Sequence, residues 1–301
     1  MIKNINFVSK FKTANIISIA LFILSIFLIG FKGLNYGIDF KGGTLIELRT
    51  DPSINASTIR DSLNSMNLGD VNVKRFGKVG DYLIKVEQKS VNNSNLIPTI
   101  KQTLSENLSA EVDFRRVENV GPKVSSELLE SSVIAISLAL AAMLFYIWVR
   151  FEWQFSVGSI VALFHDVIIT LGIFSLLSLE INLSIIAAVL TIVGYSMNDT
   201  VVIYDRIREN LFKFTKISIS DVSNLSINET LARTIITSMT TLLALFSIYI
   251  LGGEILRGFS FAMILGVIIG TYSSMFVASP ILKFLKVSYK TLEKEEEKIL
   301  P

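Results

Sequence analysis

Long apolar runs, separated by short polar loops and one long polar insert, organise this chain. Six runs approach the roughly 20 apolar residues that a hydrocarbon slab of about 30 Å demands of a helix: Ala14–Phe31, Ser132–Val149, Phe155–Leu177, Ile181–Tyr204, Thr230–Leu251 and Ile255–Leu282. Within the insert, alternation and helical spacing predict a strand at Thr44–Arg49, a helix at Ser57–Asn67 and strands at Val71–Phe76 and Asp81–Glu87. A helix at Asn95–Asn107 and a strand at Glu111–Val117 follow. This βαββαβ order predicts a ferredoxin-like α+β sandwich, and Lys78-Val79-Gly80 is the expected turn of its central hairpin. The predicted fold class is an α-helical integral membrane protein: six transmembrane helices, with one ferredoxin-like domain between the first and second.

Composition supports the membrane reading: 51% of residues are apolar, 20 of 301 are Phe, and the mean hydropathy is +0.56. Charge sets the orientation. Lys3, Lys10 and Lys12 share a side with Arg150, Arg206, Arg208, Lys213, Lys216, Lys283, Lys286, Lys290, Lys294 and Lys298, while Arg257 lies opposite. Basic loops stay inside, so both termini are expected in the cytoplasm and the insert outside it, periplasmic in a bacterium. No small-x-small cleavage pattern follows Phe31, which predicts a retained first helix. The expected organisation is residues 1–31 as N-terminus and first helix, 32–130 as the external domain, 131–285 as helices two to six, and 286–301 as a cytoplasmic tail. The tail from Lys290 to Lys298 reads as a solvated helix end.

A net charge of +2 argues against nucleic acid as a partner. With no cysteine and one histidine, and neither a phosphate-binding loop nor a His-Glu-x-x-His motif, the chain predicts no metal, no cofactor and no ATP hydrolysis.

The chemistry lies in the fourth run, where Asp199 interrupts an apolar stretch. A mid-membrane carboxylate costs about 2.5–3.5 kcal/mol on insertion scales, so it faces a partner or water and marks a proton or ion site. Tyr195 and Ser196 share its helical face, with Asn198 adjacent. On the fifth helix Arg233 shares a face with Thr237, Thr240, Thr241 and Ala244, which suits an Asp199–Arg233 pairing. The competing readings are a static ion pair in register between two helices, and an Arg233 that snorkels to the cytoplasmic interface from a turn or two inside its helix. His165 and Asp166 are neighbours in the third helix, about 100° apart, and do not make an obvious dyad; Asp166 lines up with Gly158, Ala162 and Thr170. His165 suits a proton relay, and an interhelical hydrogen bond explains either residue as well. Two carboxylates, Asp166 and Asp199, meet the count for an intramembrane aspartyl protease but sit in no protease motif. Gly258, Ala262, Gly266, Gly270, Ser274 and Ala278 form a packing seam on the sixth helix, its partner in this chain or another subunit. Asp39, Gly42 and Gly43 read as a tight turn feeding the first strand; the alternative makes Gly42 and Gly43 one hinge of the external domain and Gly121 with Pro122 the second.

The string from Gly194 to Asn210, Gly-Tyr-Ser-Met-Asn-Asp-Thr-Val-Val-Ile-Tyr-Asp-Arg-Ile-Arg-Glu-Asn, resembles the signature of the SecF family, accessory subunits of the bacterial Sec export machinery. Gly37-Ile-Asp-Phe-Lys-Gly-Gly43, Val120-Gly-Pro-Lys-Val124, His165-Asp166, Arg233-Thr-Ile-Ile-Thr-Ser238 and Gly270-Thr-Tyr-Ser-Ser274 resemble SecF motifs in the same order. The resemblance implies a non-enzymatic member of the resistance-nodulation-division superfamily in the bacterial inner membrane. It implies pairing with SecD, association with the SecYEG channel and with YajC and YidC, and use of the proton gradient to draw exported polypeptide outward after the SecA step. It carries the proton-pathway roles onto Asp199 and Arg233. The other readings are half of a proton-driven small-molecule exporter and a non-transporting assembly scaffold.

Overall fold

A computed structural model describes residues 5–66, 68, 71–86, 96–108 and 110–292. Lys3, the expected ends at Asn67, Glu87 and Asn95, and most of the tail from Lys290 to Lys298 lie outside them. Six helices among the described residues are long and apolar enough to cross a membrane, and the chain divides into two compact units.

The first unit comprises residues 1–35, 136–179 and 184–301. Its helices are α1 (Val8–Lys32), the distal part of α5 (Pro122–Arg150), α6 (Trp153–Leu176), α7 (Leu183–Lys213), α8 (Ile219–Leu251) and α9 (Gly253–Ser273). One π-helical turn, Ser274–Ala278, joins α9 to α10 (Ser279–Phe284). Helices α6, α7 and the α9–α10 span bury half or more of their most apolar stretch, whereas α1, α5 and α8 bury less than a fifth. The first three therefore form the centre, and the others present apolar flanks suited to lipid or another membrane protein. Most helices outrun their apolar runs, because hydrogen bonding continues where hydropathy stops. Helix α8 begins eleven residues before Thr230, its first turn capped by Ser218, whose hydroxyl accepts from the Asp221 amide at 3.3 Å. Arg233 thus lies well inside α8, correcting the expectation of a turn or two. The sixth run is not one continuous α-helix: the π-helical turn interrupts it at Ser274.

The second unit comprises residues 36–135 and 180–183. Strands β2 (Gly43–Arg49), β3 (Val71–Arg75), β4 (Asp81–Val86) and β5 (Asp113–Val120) alternate with α3 (Ala56–Asn64) and α4 (Leu96–Leu108) in the order βαββαβ. The sheet is antiparallel, ordered β3-β4-β2-β5. Period-two alternation puts Ile46, Leu48, Val71, Val73, Tyr82, Ile84 and Val86 on one face, where they pack with Ile59 and Leu63 of α3 and Ile100 and Leu104 of α4. Strand β5 runs three residues past the expected Val117, since Gly43 pairs with Val120 at the end of the ladder.

A short pair, β1 (Asn35–Tyr36) and β6 (Glu180–Ile181), flanks a single helical turn, α2 (Ile38–Lys41). Here the Gly42-Gly43 turn forms. Gly43 has φ 138°, and a Cβ there would stand 2.6 Å from the Val86 carbonyl oxygen, so only glycine fits. Gly121 precedes α5 and Pro122 opens it as the first helical residue, a position that suits proline's missing N–H. The Ser125 hydroxyl donates to the Ile38 carbonyl at 3.2 Å. The Asp39 carboxylate accepts from the Leu183 amide at 2.9 Å, and the Gly37 amide donates to Ile181 at 2.8 Å. Lys85 pairs with Glu180. These bonds explain why Glu180–Leu183, expected as part of the membrane region, belongs to the unit containing the sheet.

Asp81 gives the sheet a pH dependence. The Arg49 guanidinium, donating at 2.5 and 2.7 Å, holds the Asp81 carboxyl below its ordinary value. The native group binds its proton less readily than the unfolded one. The stabilisation is therefore complete above about pH 4 and fades as pH falls through the lower native value. Hydrogen exchange of the β4 amides in the full chain should accelerate, beyond the intrinsic rate change, below about pH 4. Asp81→Asn should remove that pH dependence and cost about 1 kcal/mol at neutral pH; an unchanged acid response would contradict the assignment.

Candidate functional site

The centre of the first unit holds two buried carboxylates, Asp166 on α6 and Asp199 on α7, exposed by 0% and 2%. Their surroundings follow from how closely α7 and α9 approach. A Cβ on Gly266 would stand 2.2 Å from Ile192 Cγ1, and one on Gly270 2.9 Å from Ser196 Cβ. A Cβ on Gly258 would meet Ile185 Cδ1 at an ordinary 3.4 Å, Ala262 is fully buried, and Ser274 donates to the Ser196 carbonyl at 3.4 Å. The small-residue seam therefore packs on α7 of this chain.

That packing brings α9 hydroxyls onto both acids. Thr271 Oγ1 donates to Asp199 Oδ2 at 3.2 Å, and Ser273 Oγ donates to Asp166 Oδ2 at 2.7 Å. Ser196, on α7, donates to the same Asp166 oxygen at 2.5 Å. Asp166 Oδ1 lies 2.9 Å from His165 Nδ1. From Asp199 a chain of hydroxyls continues outward: Thr271 and Ser238 Oγ are 2.7 Å apart, and Tyr195 donates to Ser238 at 3.5 Å. Thr200 bonds Ser274 at 2.9 Å beneath this layer.

Two expectations are corrected. Arg233 does not reach Asp199: its side chain is exposed, and the carboxylate's direct partner is Thr271. Among the described residues no Lys or Arg forms an ion pair with either acid, and the only ion-pair geometry at Asp166 is with His165. Thr237 turns back to its own helix, donating to the Arg233 and Thr234 carbonyls, and Asn198 is exposed. His165 and Asp166 do meet, because side-chain rotation closes the 100° between their backbone directions. Thr271, Ser273, Ser238 and Thr200 lie within the quoted strings but were given no individual role. The signal available was their spacing on α7, α8 and α9, which reads equally as packing.

The second half of the Gly194–Asn210 string forms a polar cluster at the end of α7. Arg206 bonds Glu229 at 2.6 Å, Asn210 bonds Glu229 at 2.7 Å and Ser226 at 3.0 Å, and Arg150 pairs with Asp205 at 2.7 Å. Tyr204, fully buried, donates to the Ala278 carbonyl at 2.9 Å inside the π-helical turn, in space left by Gly158.

Residues 100–288 match a family described as "Protein export membrane protein SecD/SecF, C-terminal", and residues 27–54 match the "SecD/SecF GG Motif". A protein translocase subunit SecF from Rickettsia bellii is 46% identical over 278 residues, covering 92% of each chain. The crystal structure of SecDF, a translocon-associated membrane protein from Thermus thermophilus, aligns with a TM-score of 0.86 and 35% identity over 95% of this chain. A SecDF structure in a super-membrane-facing form aligns with a TM-score of 0.70 and 34% identity over 99%. The chain spans 39% and 40% of those two longer chains.

The seam gives a direct test. Gly266→Ile should destabilise the folded protein by about 1–3 kcal/mol through overpacking against Ile192. Gly194→Ala, whose Cβ would lie no closer than 3.8 Å to Met143 Cε, should be tolerated. Thermal aggregation in detergent separates the two, and equal behaviour would contradict the α7–α9 packing.

Proposed function

The chain belongs to the SecF branch of the SecD/SecF protein-export family, and on that premise we propose that Asp199 is its proton-coupling site. With a SecD-type partner, this translocase subunit uses the proton gradient of the bacterial inner membrane to complete polypeptide export after the ATP-driven SecA step. The SecYEG channel, YajC and YidC are proposed neighbours. Both termini are proposed to be cytoplasmic. The βαββαβ unit is then a ferredoxin-like domain on the outer side, within the organisation 1–31, 32–130, 131–285 and 286–301.

The observation that carries this reading is a carboxylate deep in an apolar helix whose direct partner is the Thr271 hydroxyl. An ionised carboxylate only accepts hydrogen bonds, whereas the protonated acid also donates one. A proton arriving at Asp199 from outside forms an O–H bond there: on Oδ2 it turns the Thr271 hydroxyl from donor to acceptor, and on Oδ1 it leaves Thr271 a weaker, uncharged acceptor. Ser238 and Tyr195 are next along the hydroxyl chain and respond in turn. Arg233 supplies positive charge through space rather than a fixed ion pair. One charge falling through 100 mV gains about 2.3 kcal/mol, comparable with several such hydrogen bonds.

A displacement of α7 has a covalent route out of the site. Leu183 opens α7, the helix that bears Asp199, and the same residue is bonded to Asp39 within the unit that holds the sheet. A shift of α7 along its axis pulls on that segment. Hinge roles for Gly42, Gly43, Gly121 and Pro122 complete the proposal.

In energised inverted vesicles carrying the SecD partner, with ATP withdrawn after initiation, Asp199→Asn should slow gradient-driven completion of a secreted reporter at least about tenfold while the complex still copurifies. Undiminished completion would leave Asp199 a structural residue and favour the scaffold reading.

A further inference from the structure

We propose that Asp166, with His165, is a second protonatable site: a clamp that fastens α6 to both α7 and α9 when ionised and releases them when it takes up a proton. Its effect on transport rests on the coupling role of Asp199; its protonation does not.

Asp166 is fully buried, and each central helix contributes one donor to it or stands beside one. Ser196 comes from α7, Ser273 from α9, and His165 from α6 itself. The same two partner helices serve Asp199: α7 carries it, three residues beyond Ser196, and α9 supplies Thr271, two residues before Ser273. The two acids thus grip one seam from different sides. Two serine hydroxyls on a single carboxylate oxygen form charge-assisted bonds only while that oxygen is negative. Protonation by one proton from water gives a neutral acid: on Oδ2 the new O–H turns at least one serine away, and on Oδ1 it reduces both serine bonds to uncharged ones and faces the O–H toward His165.

His165 supplies the second observation. Its Nε2 is buried and has no hydrogen-bond partner among the described residues, while Nδ1 faces Asp166. The ring lies against Tyr272, at 6.4 Å between centroids, and the Tyr272 hydroxyl bonds Ser18 and the Ala14 carbonyl of α1, each at 2.9 Å. A ring with one free buried nitrogen can pass a proton through itself, accepting at one nitrogen and releasing at the other. The titratable groups in contact with Asp166 or with its partner ring are His165 on its own helix and Tyr272 on α9; on α7, Asp199 lies three residues beyond Ser196 and Tyr195 one before it. Arg233 on α8 is exposed, and α1 presents Ser18.

The test uses the full chain assembled with its SecD partner. In an Asp199→Asn background, pH-difference infrared spectra should retain a buried carboxyl band that responds to pH and that Asp166→Asn removes. Ser273→Ala should shift that band in frequency by removing a donor. In the transport assay with Asp199 intact, Asp166→Asn keeps the amide oxygen as acceptor for both serines, so a merely structural acid should tolerate it. The proposal expects gradient-driven completion to fall at least about tenfold, with Asp166→Glu restoring half or more and copurification unchanged. Absence of a titrating buried band, or a band indifferent to Ser273→Ala, would overturn the proposal whatever the Asp166→Asn variant does. Full completion with Asp166→Asn would overturn its role in coupling and leave the reading of Asp199 intact.

Discussion

The close approach of α7 and α9 is the contact on which the rest of the membrane unit depends. In hydrocarbon an unsatisfied polar group costs several kcal/mol, so a helix carrying Asp199 is viable only with donors already in place. Gly266 and Gly270 let the two backbones come near enough for Thr271 and Ser273 to serve the acids, and for Ser274 to serve the Ser196 carbonyl. The bonds and the packing need each other. Removing the glycines strands the acids, and removing the acids leaves a row of hydroxyls with weaker partners. The π-helical turn just beyond Ser273 fits this picture, since its extra residue shifts the register below the acids, where Tyr204 takes up the Ala278 carbonyl.

Hydropathy made the six helices legible because a lipid-length apolar run has few other uses. Their ends were not legible, since helical hydrogen bonding runs on through charged residues in water, as at Ser218 and Ile219. Asp199 stood out as a charge in an apolar run. Its partner did not, because spacing on one helix fixes directions only relative to that helix and says nothing about rotation against a neighbour. Arg233 looked suitable by charge, and Thr271 looked like packing. The contact between His165 and Asp166 escaped for a related reason: backbone angles constrain where side chains start, not where flexible ones finish.

In the polar insert, strict alternation gave the strands and their buried face, since a one-residue slip would turn every core residue outward. What alternation could not reveal was β6, two residues long and far beyond β5 in sequence: its place beside β1 depends on a few bonds. Those bonds involve Gly37, Asp39, Glu180 and Lys85, which carry no common periodic signal. They make the connection between α6 and α7 part of the unit that holds the sheet.

The most direct test of proton coupling at Asp199 is a measurement of proton flow itself. Inverted vesicles containing the complex and a trapped pH indicator would be energised, loaded with a stalled export substrate, and followed while translocation resumes. Coupling predicts a proton efflux from the lumen that starts with resumed translocation, stops when it ends, and vanishes with Asp199→Asn. An efflux of equal size in that variant, or resumed translocation with no efflux in the wild type, would contradict it.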